Sequence, residues 1–323
     1  RGLVGSEMCI RDRIRVVHVS PWEKKLEVIP LEKLGRPRID VIVTICGFFR
    51  EMFPNVMELL DKAFRMVAEL DEPEEMNYVK KHAKDGEPMR VFSDMPGVYG
   101  AGVGKVLENK NWESIDDLAK VYTEWGCYAY GRGKYGIKAE KKFKDILRIV
   151  EVTVKNEDSQ EWDIFEGDDF NAYHGGMIAT IRALGGNPKP YVGDSSDPEN
   201  IKIRSLDEEG KRIYRAKIMN PKWIEGMKKH GYKGAEYFSK YVDHVFQWDA
   251  TSDIIEDWMY QGIAEKYVFN EEMQEFFKKN NPYALMNIAE RLLEAIQRGM
   301  WDADEETKER LRSIYLEMES ELE

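Results

Sequence analysis

The chain reads as a helix-rich α/β protein, with a small strand-containing N-terminal region and a mostly helical C-terminal half. Three observations predict this. A β-branched, nearly continuous apolar run occupies Ile39–Cys46, apolar residues then recur at helical spacing from Phe53 to Leu70, and beyond Gly175 long segments repeat that helical spacing between proline and asparagine breaks. At 323 residues, 42% hydrophobic and 11% aromatic, the chain is long enough to bury a substantial core.

In order, Ile39–Cys46 predicts a strand covered on both faces and Phe53–Leu70 a helix. Residues 71–90, with Pro73, Gly86 and Pro88, predict a surface connection holding one short helix, and Arg90–Ser93 a short strand. A glycine-rich loop, Pro96–Gly104, leads into helices near 103–110 and 114–129, after which Gly131, Gly133 and Gly136 interrupt. A helix is expected over 138–148 and a strand over Ile149–Val154, with Val150, Val152 and Val154 on one side.

The remaining helices are expected near 174–184, 206–218, 221–229, 233–247, 252–266, 270–279, 282–298 and 304–321. Short extended pieces should lie around Tyr191 and Ile203. Asn220-Pro221 and Asn281-Pro282 place proline in a first helical turn, where its missing N–H is harmless. Leu311, Ile314, Tyr315, Met318 and Leu322 make one apolar stripe on the last helix, which either caps its own domain or docks on a partner subunit.

The organisation expected is an N-terminal peptide, 1–13, then a mixed α/β region, 14–155, and a helix-rich region, 156–323, with no clear linker between the last two. Gly2–Arg13 resembles a peptide produced when sequencing-adapter DNA is translated, so residues 1–13 are set aside as non-native; the missing initiator Met fits a truncated reading frame.

Lys and Arg number 48 against 60 Asp and Glu, a net charge of −12, so the overall field repels polyanions and neither nucleic acid nor an anionic membrane is expected as a partner. No apolar run approaches the ~20 residues of a membrane helix. Cys9, Cys46 and Cys127 are widely spaced and odd in number, which points to a reducing, cytoplasmic setting rather than a disulfide framework.

The densest chemistry lies in Asp168-Asp169-Phe170-Asn171-Ala172-Tyr173-His174-Gly175-Gly176-Met177. His174 is expected at or next to a helix N-terminus, where the dipole favours a neutral imidazole able to take a proton or bind a metal transiently. The competing reading makes Asp169 or Asn171 a helix cap and His174 an ordinary hydrogen-bonded residue. Trp248-Asp249-Ala250-Thr251 and Trp223 offer aromatic faces that, beside polar caps, can line a flat pocket; alternatively Thr251 or Ser252 caps the next helix and the tryptophans are core.

Gly104-Lys105 fails as a nucleotide loop, because Tyr99 and Val106 stand where glycine and Ser or Thr are needed. The five histidines form no close ligand pair, and no nucleophilic triad or activated cysteine is evident.

These segments, together with Asn220-Pro221-Lys222-Trp223-Ile224-Glu225-Gly226-Met227, Gly35-Arg36-Pro37-Arg38-Ile39-Asp40, Gly47-Phe48-Phe49-Arg50, Val98-Tyr99-Gly100-Ala101-Gly102-Val103, Val154-Lys155-Asn156 and His230-Gly231-Tyr232-Lys233-Gly234, resemble the large subunit of ATP-dependent cobaltochelatases (CobN type), and more distantly the magnesium chelatase H subunit. The resemblance runs from Gly35 over most of the chain and is to the C-terminal part of such subunits. It implies a chelatase that holds a tetrapyrrole of the hydrogenobyrinic acid a,c-diamide type, with divalent cobalt as substrate, or magnesium and protoporphyrin in the other branch, while AAA+ partner subunits bind the ATP. It further implies His174 as base or metal relay, Asp168 and Asp169 orienting it or escorting the ion, and Tyr173, Trp223 and Trp248 against the macrocycle. Arg50 either clamps a peripheral carboxylate or forms a structural ion pair. The Tyr-His-Gly-Gly-Met form resembles the cobalt branch, and the fragment alone is expected to be inactive. A non-catalytic tetrapyrrole-binding or scaffold protein is the alternative.

Overall fold

A computed structural model describes residues 26–83, 86, 88–159, 161–197 and 199–322. The expected adapter-derived peptide, 1–13, lies outside the described residues. The described residues divide into two compact units: those up to Thr153 together with Gly176–Lys189, and Val154–Gly175 together with Pro190 onward. The predicted class holds: among the described residues helices dominate and two small sheets accompany them.

The first unit is built on a four-stranded sheet, in the order β1 (Val43–Ile45), β2 (Val91–Ser93), β3 (Tyr128–Gly131), β4 (Lys134–Lys138). β1 runs parallel to β2, and the other neighbours are antiparallel. The run predicted as a doubly covered strand is therefore mostly wrong in kind. β1 keeps only three half-buried residues, because it is an edge strand, while Ile39 and Val41 are exposed.

The doubly covered strand is β2. Val91 packs with Met57, Phe64 and Tyr130, while Phe92 meets Phe143 with ring centroids 5.0 Å apart. Period-two alternation sends the two side chains to opposite sides of the sheet.

The helix Pro54–Ala68 starts on its proline and supplies Met57 and Phe64. The short helix Tyr78–His82 is where the 71–90 connection was expected to hold one. Helix Ile115–Gly126 carries a capping box from Ser114 and Asp117, but it ends three residues before the predicted limit because Tyr128 begins β3. The β3–β4 hairpin is absent from the sequence expectation. Helix Gly176–Ala183 lies on Ile115–Gly126 so closely that a Cβ on Gly176 would come within 2.5 Å of the Tyr122 ring.

The second unit joins a three-stranded sheet, β5 (Val152–Glu157), β6 (Lys189–Asp194) and β7 (Lys202–Ser205), to a helical assembly. β6 and β7 pair antiparallel where the extended pieces were expected. β5 starts three residues later than predicted and leaves Val154 exposed.

The helices Pro221–Lys228, Glu271–Asn280, Pro282–Gln297 and Glu305–Leu322 match their expected ranges closely, while the one expected over 206–218 is α-helical only over Leu206–Ile213 and turns π-helical from Tyr214 to Ile218. Both Asn-Pro starts put proline in the first turn, and Asn220 also caps its helix by accepting from the Lys222 N–H. On the last helix Leu311 and Met318 are fully buried against Pro282–Gln297, so this stripe covers its own unit. The predicted helices 233–247 and 252–266 are redrawn, however. One helix runs unbroken from Tyr232 to Ser252 and stops at Asp253, whose φ is 54°; the next occupies Asp257–Ile263.

Among the described residues three π-helical turns interrupt the α-helical hydrogen-bonding pattern, at Asn171–Gly175, Tyr214–Ile218 and Ala264–Val268. No helix among the described residues is long and apolar enough to cross a membrane. Of the cysteines described, Cys46 is exposed and Cys127 buried, and both are free.

Candidate functional site

His174 is not at a helix N-terminus. The helix opens at Asp168, and the imidazole sits six residues further on, within the π-helical turn Asn171–Gly175. That turn carries an extra residue per loop, so it needs a tight partner, and the long helix Tyr232–Ser252 provides one. A Cβ on Gly175 would lie 2.3 Å from Thr251 Oγ1, so only glycine permits the approach. Asn171, fully buried, donates from Nδ2 to Gln247 Oε1 at 2.9 Å, and Gln247 in turn donates to Asp243 at 2.5 Å.

The His174 ring, 5% exposed, meets Trp248 edge to face with centroids 6.0 Å apart. Trp248 is held from behind by its indole N–H, which donates to the Ile164 carbonyl at 2.6 Å. Burial pushes the imidazole's pKa down to about 3, and the positive charge of Lys155 adds to the effect. The predicted neutral state is thus present, but its cause is burial and a neighbouring cation rather than the helix dipole. Lys155 Nζ lies 2.9 Å from the Phe170 ring centroid, one turn before His174.

Asp169 is exposed, Tyr173 half-buried, and Asp168 begins the helix. Asp169 does not cap that helix, since Gly167 occupies the N-cap position.

Two carboxylic acids that sequence reasoning passed over lie in the same unit. Glu157 is pushed up to about 7 by burial, against the pull of Lys155, whose Nζ is 4.0 Å from Glu157 Oε1. Asp249 is pushed up to about 7 by burial, although it accepts from the Ile255 N–H at 3.1 Å and the Tyr260 hydroxyl at 2.9 Å. Asp249 stood inside the Trp-Asp-Ala-Thr segment; only the fold reveals that it is buried. Lys155 and Glu157 sit two apart on β5, which puts them on one face of that strand.

The aromatic expectations need correction. Trp248 is fully buried core, and Thr251 and Ser252 cap nothing: their hydroxyls donate back to the carbonyls of Gln247 and Trp248 within the same helix. Trp223 is half-buried in a cluster with Phe238 and Tyr241, centroids 5.5 and 5.3 Å away. Beside that cluster Lys217 pairs with both Asp163 and Glu166, and the Tyr241 hydroxyl donates to Asp163 at 2.6 Å.

Arg50 belongs to the other unit and is fully buried. Nη1 donates to Asp94 Oδ1 at 2.7 Å and to the Asp94 carbonyl at 2.8 Å, while Nη2 donates to Glu51 and to the Val98 carbonyl. This is the structural ion pair; with both terminal nitrogens committed, the clamp on a substrate carboxylate is not what the geometry offers.

Among the described residues no group of three or more His, Cys, Asp or Glu is placed to hold a metal ion. What the His174 region offers is a neutral imidazole in an apolar wall, with two carboxyls of the same unit that titrate near neutrality. Such groups can accept and release protons at working pH.

Residues 14–308 match the CobN/Magnesium Chelatase family. The chain is 64% identical to an uncharacterised protein of Methanocaldococcus jannaschii over 97% of its own length and 27% of that protein's. It is 41% identical to the aerobic cobaltochelatase subunit CobN of Pseudomonas aeruginosa, over 91% of this chain and 25% of that one. The solved catalytic subunit of cobaltochelatase from Mycobacterium tuberculosis superposes with a TM-score of 0.90 at 44% identity, covering 92% of this chain and 26% of that one. The chain thus spans about a quarter of the length of the relatives it matches.

Proposed function

The chain belongs to the CobN/magnesium chelatase family, and on that premise we propose that it is the C-terminal part of a cobaltochelatase large subunit. In that role it helps hold a corrin-type tetrapyrrole while a divalent cobalt ion is inserted, in cobalamin biosynthesis, with ATP hydrolysed by AAA+ partner subunits in the cytoplasm. The observation that carries this reading is the 44% identity and TM-score of 0.90 to a cobaltochelatase catalytic subunit.

The chemistry of the His174 region fits the task. Metal insertion removes two protons from pyrrole-type nitrogens and delivers a partly desolvated cation. A neutral imidazole can take such a proton, or pass the ion on as a transient ligand. Elsewhere in the same unit Glu157 and Asp249, both pushed up to about 7, can exchange protons at neutral pH. Asp169, exposed near the start of the same helix, supplies negative charge to draw the ion in. His174 is therefore assigned as base or relay. Asp168 and Asp169 escort the cation, and Tyr173 remains the aromatic residue nearest the imidazole in sequence for the macrocycle.

The second reading, a magnesium chelatase H-type subunit acting on protoporphyrin, follows from the family's own breadth. The test is metal insertion by a subunit of full family length with its ATPase partners, watching the absorption of a hydrogenobyrinic acid diamide with cobalt and of protoporphyrin with magnesium. ATP-dependent cobalt insertion supports the first reading. Magnesium insertion alone moves the protein to the other branch, and macrocycle binding without either insertion leaves a non-catalytic tetrapyrrole-binding protein.

A further inference from the structure

In the first unit three segments meet at Arg50: the helix Gly47–Met52, the glycine-rich loop after Asp94, and the β3–β4 hairpin. Their most exposed aromatic residue on the loop is Tyr99, 60% accessible. Its backbone is nevertheless pinned on both sides. The preceding carbonyl, of Val98, accepts from Arg50 Nη2 at 3.2 Å, and the following N–H, of Gly100, donates to Asp94 Oδ2 at 3.0 Å.

Both anchors belong to one buried ion pair, which Ser93 and Tyr130 complete by donating to Asp94 at 2.6 Å each. A row of ring and guanidinium groups continues from there. Arg50 lies 5.8 Å from the Tyr99 ring centroid and 5.7 Å from that of Tyr130, and Tyr130 meets Tyr135 at 5.4 Å. Tyr135, at the far end, is 57% exposed, and Phe48 on the helix is 65% exposed.

The hairpin that carries Tyr135 is basic. From Tyr128 to Lys138 it holds Arg132, Lys134 and Lys138 and no acidic residue, in a chain whose net charge is −12. Lys138 Nζ lies 4.0 Å from Glu140 Oε2, a long contact. Exposed rings next to cations suit a ligand that is flat, apolar on its faces and negatively charged at its edge. A ring whose backbone is already fixed loses little freedom when a ligand stacks on it, so more of the contact energy appears as affinity.

We propose that this face docks a planar ligand bearing peripheral carboxylates, with Tyr99 and Tyr135 taking its apolar surface and Arg132 and Lys138 its carboxylates. Arg50 is then a positioning residue, acting through the loop it pins. On the chelatase reading, on which the ligand's identity rests, that ligand is the macrocycle.

The test titrates deuteroporphyrin IX, a free-base dicarboxylate, into the full chain and follows the shift of its absorption band. The Tyr99→Ala/Tyr135→Ala double variant should bind roughly tenfold more weakly or worse, and Tyr99→Phe/Tyr135→Phe within about twofold of the parent. Arg132→Glu/Lys138→Glu should weaken binding and flatten its salt dependence. Tyr232→Ala/Tyr283→Ala, at two exposed tyrosines of the other unit, should leave it unchanged. Unchanged affinity in the Tyr99/Tyr135 alanine variant, with native circular dichroism, overturns the docking face and leaves the chelatase reading intact; so does an equal loss in the Tyr232/Tyr283 variant. No binding by the parent overturns the docking face, and ATP-dependent insertion by the full-length subunit then decides the chelatase reading separately.

Discussion

The indole of Trp248 stands edge-on to the imidazole of His174, with ring centroids 6.0 Å apart and planes at 89°. Because the indole N–H is tied to the Ile164 carbonyl, the ring that walls the imidazole cannot swing away without breaking a buried hydrogen bond. The histidine therefore faces a fixed apolar surface, and its charge state follows from that surface and from Lys155.

The folded-state pKa of His174, about 3, lies below the ordinary histidine value, so the group favours folding above about pH 6.5. That contribution falls away as pH drops toward 3. Nitrogen chemical shifts of the labelled side chain should report a neutral ring throughout pH 5–8. A protonation midpoint near 6.5 would show that the ring is solvated.

Asp249 behaves in the opposite sense. Its folded pKa is raised to about 7, so its contribution is fully present below the unfolded value, near 4, and is lost as pH rises through about 7. Asp249→Asn removes the charge, keeps one acceptor oxygen for the Ile255 N–H, and turns the other oxygen into an amide that donates to the Tyr260 hydroxyl. Relative to the parent, the variant should gain stability between pH 4 and pH 8, by about 4 kcal/mol at most. Urea midpoints at several pH values measure this; parallel profiles would mean that Asp249 is ionised at no penalty.

Gly175→Ala places a methyl 2.3 Å from Thr251 Oγ1 and 2.9 Å from its Cβ. Overpacking of this kind costs about 1–3 kcal/mol, and Gly175→Ala/Thr251→Ala should recover part of it, since the nearer atom is gone. Gly226→Ala is the contrasting case. Nothing lies within 4 Å of its added Cβ inside the helix Pro221–Lys228, so it should stabilise by about 0.5–1 kcal/mol. Thermal melts of the four proteins check the order.

Arg50→Lys retains the charge but cannot reach Asp94, Glu51 and the Val98 carbonyl together. Asp94 then loses part of its buried compensation, and because the charge is kept the expected loss is smaller than the ~3–5 kcal/mol of removing one partner outright. Faster amide exchange at Val98–Gly100 should accompany the drop in denaturant midpoint. Unchanged exchange there would mean that the loop is held by something other than the ion pair.

Much of the fold was legible because its helices are punctuated chemically. Asn220-Pro221 and Asn281-Pro282 announce their own starts, and the Pro54 helix carries a clear apolar stripe. The β3–β4 hairpin was not, because Tyr128 to Tyr130 continue the apolar spacing of the preceding helix, and only pairing with β2 makes them a strand. The long helix was cut in two on paper because Thr251-Ser252 reads as a cap, whereas both hydroxyls bond backward within the helix. His174 and the segment around it stood out by composition. Its π-helical turn did not, since that turn depends on the close approach of Gly175 to Thr251, 76 residues further along the chain. Glu157 and Asp249 were missed for a related reason: a carboxylate's burial is decided by what packs over it.

The most direct test of the assignment compares His174→Ala with the parent in a subunit of full family length, measuring macrocycle binding and ATP-dependent cobalt insertion side by side. A base or relay role predicts that insertion falls by about 10²-fold or more while macrocycle affinity changes by less than about threefold. Equal loss of both, or of neither, would contradict it.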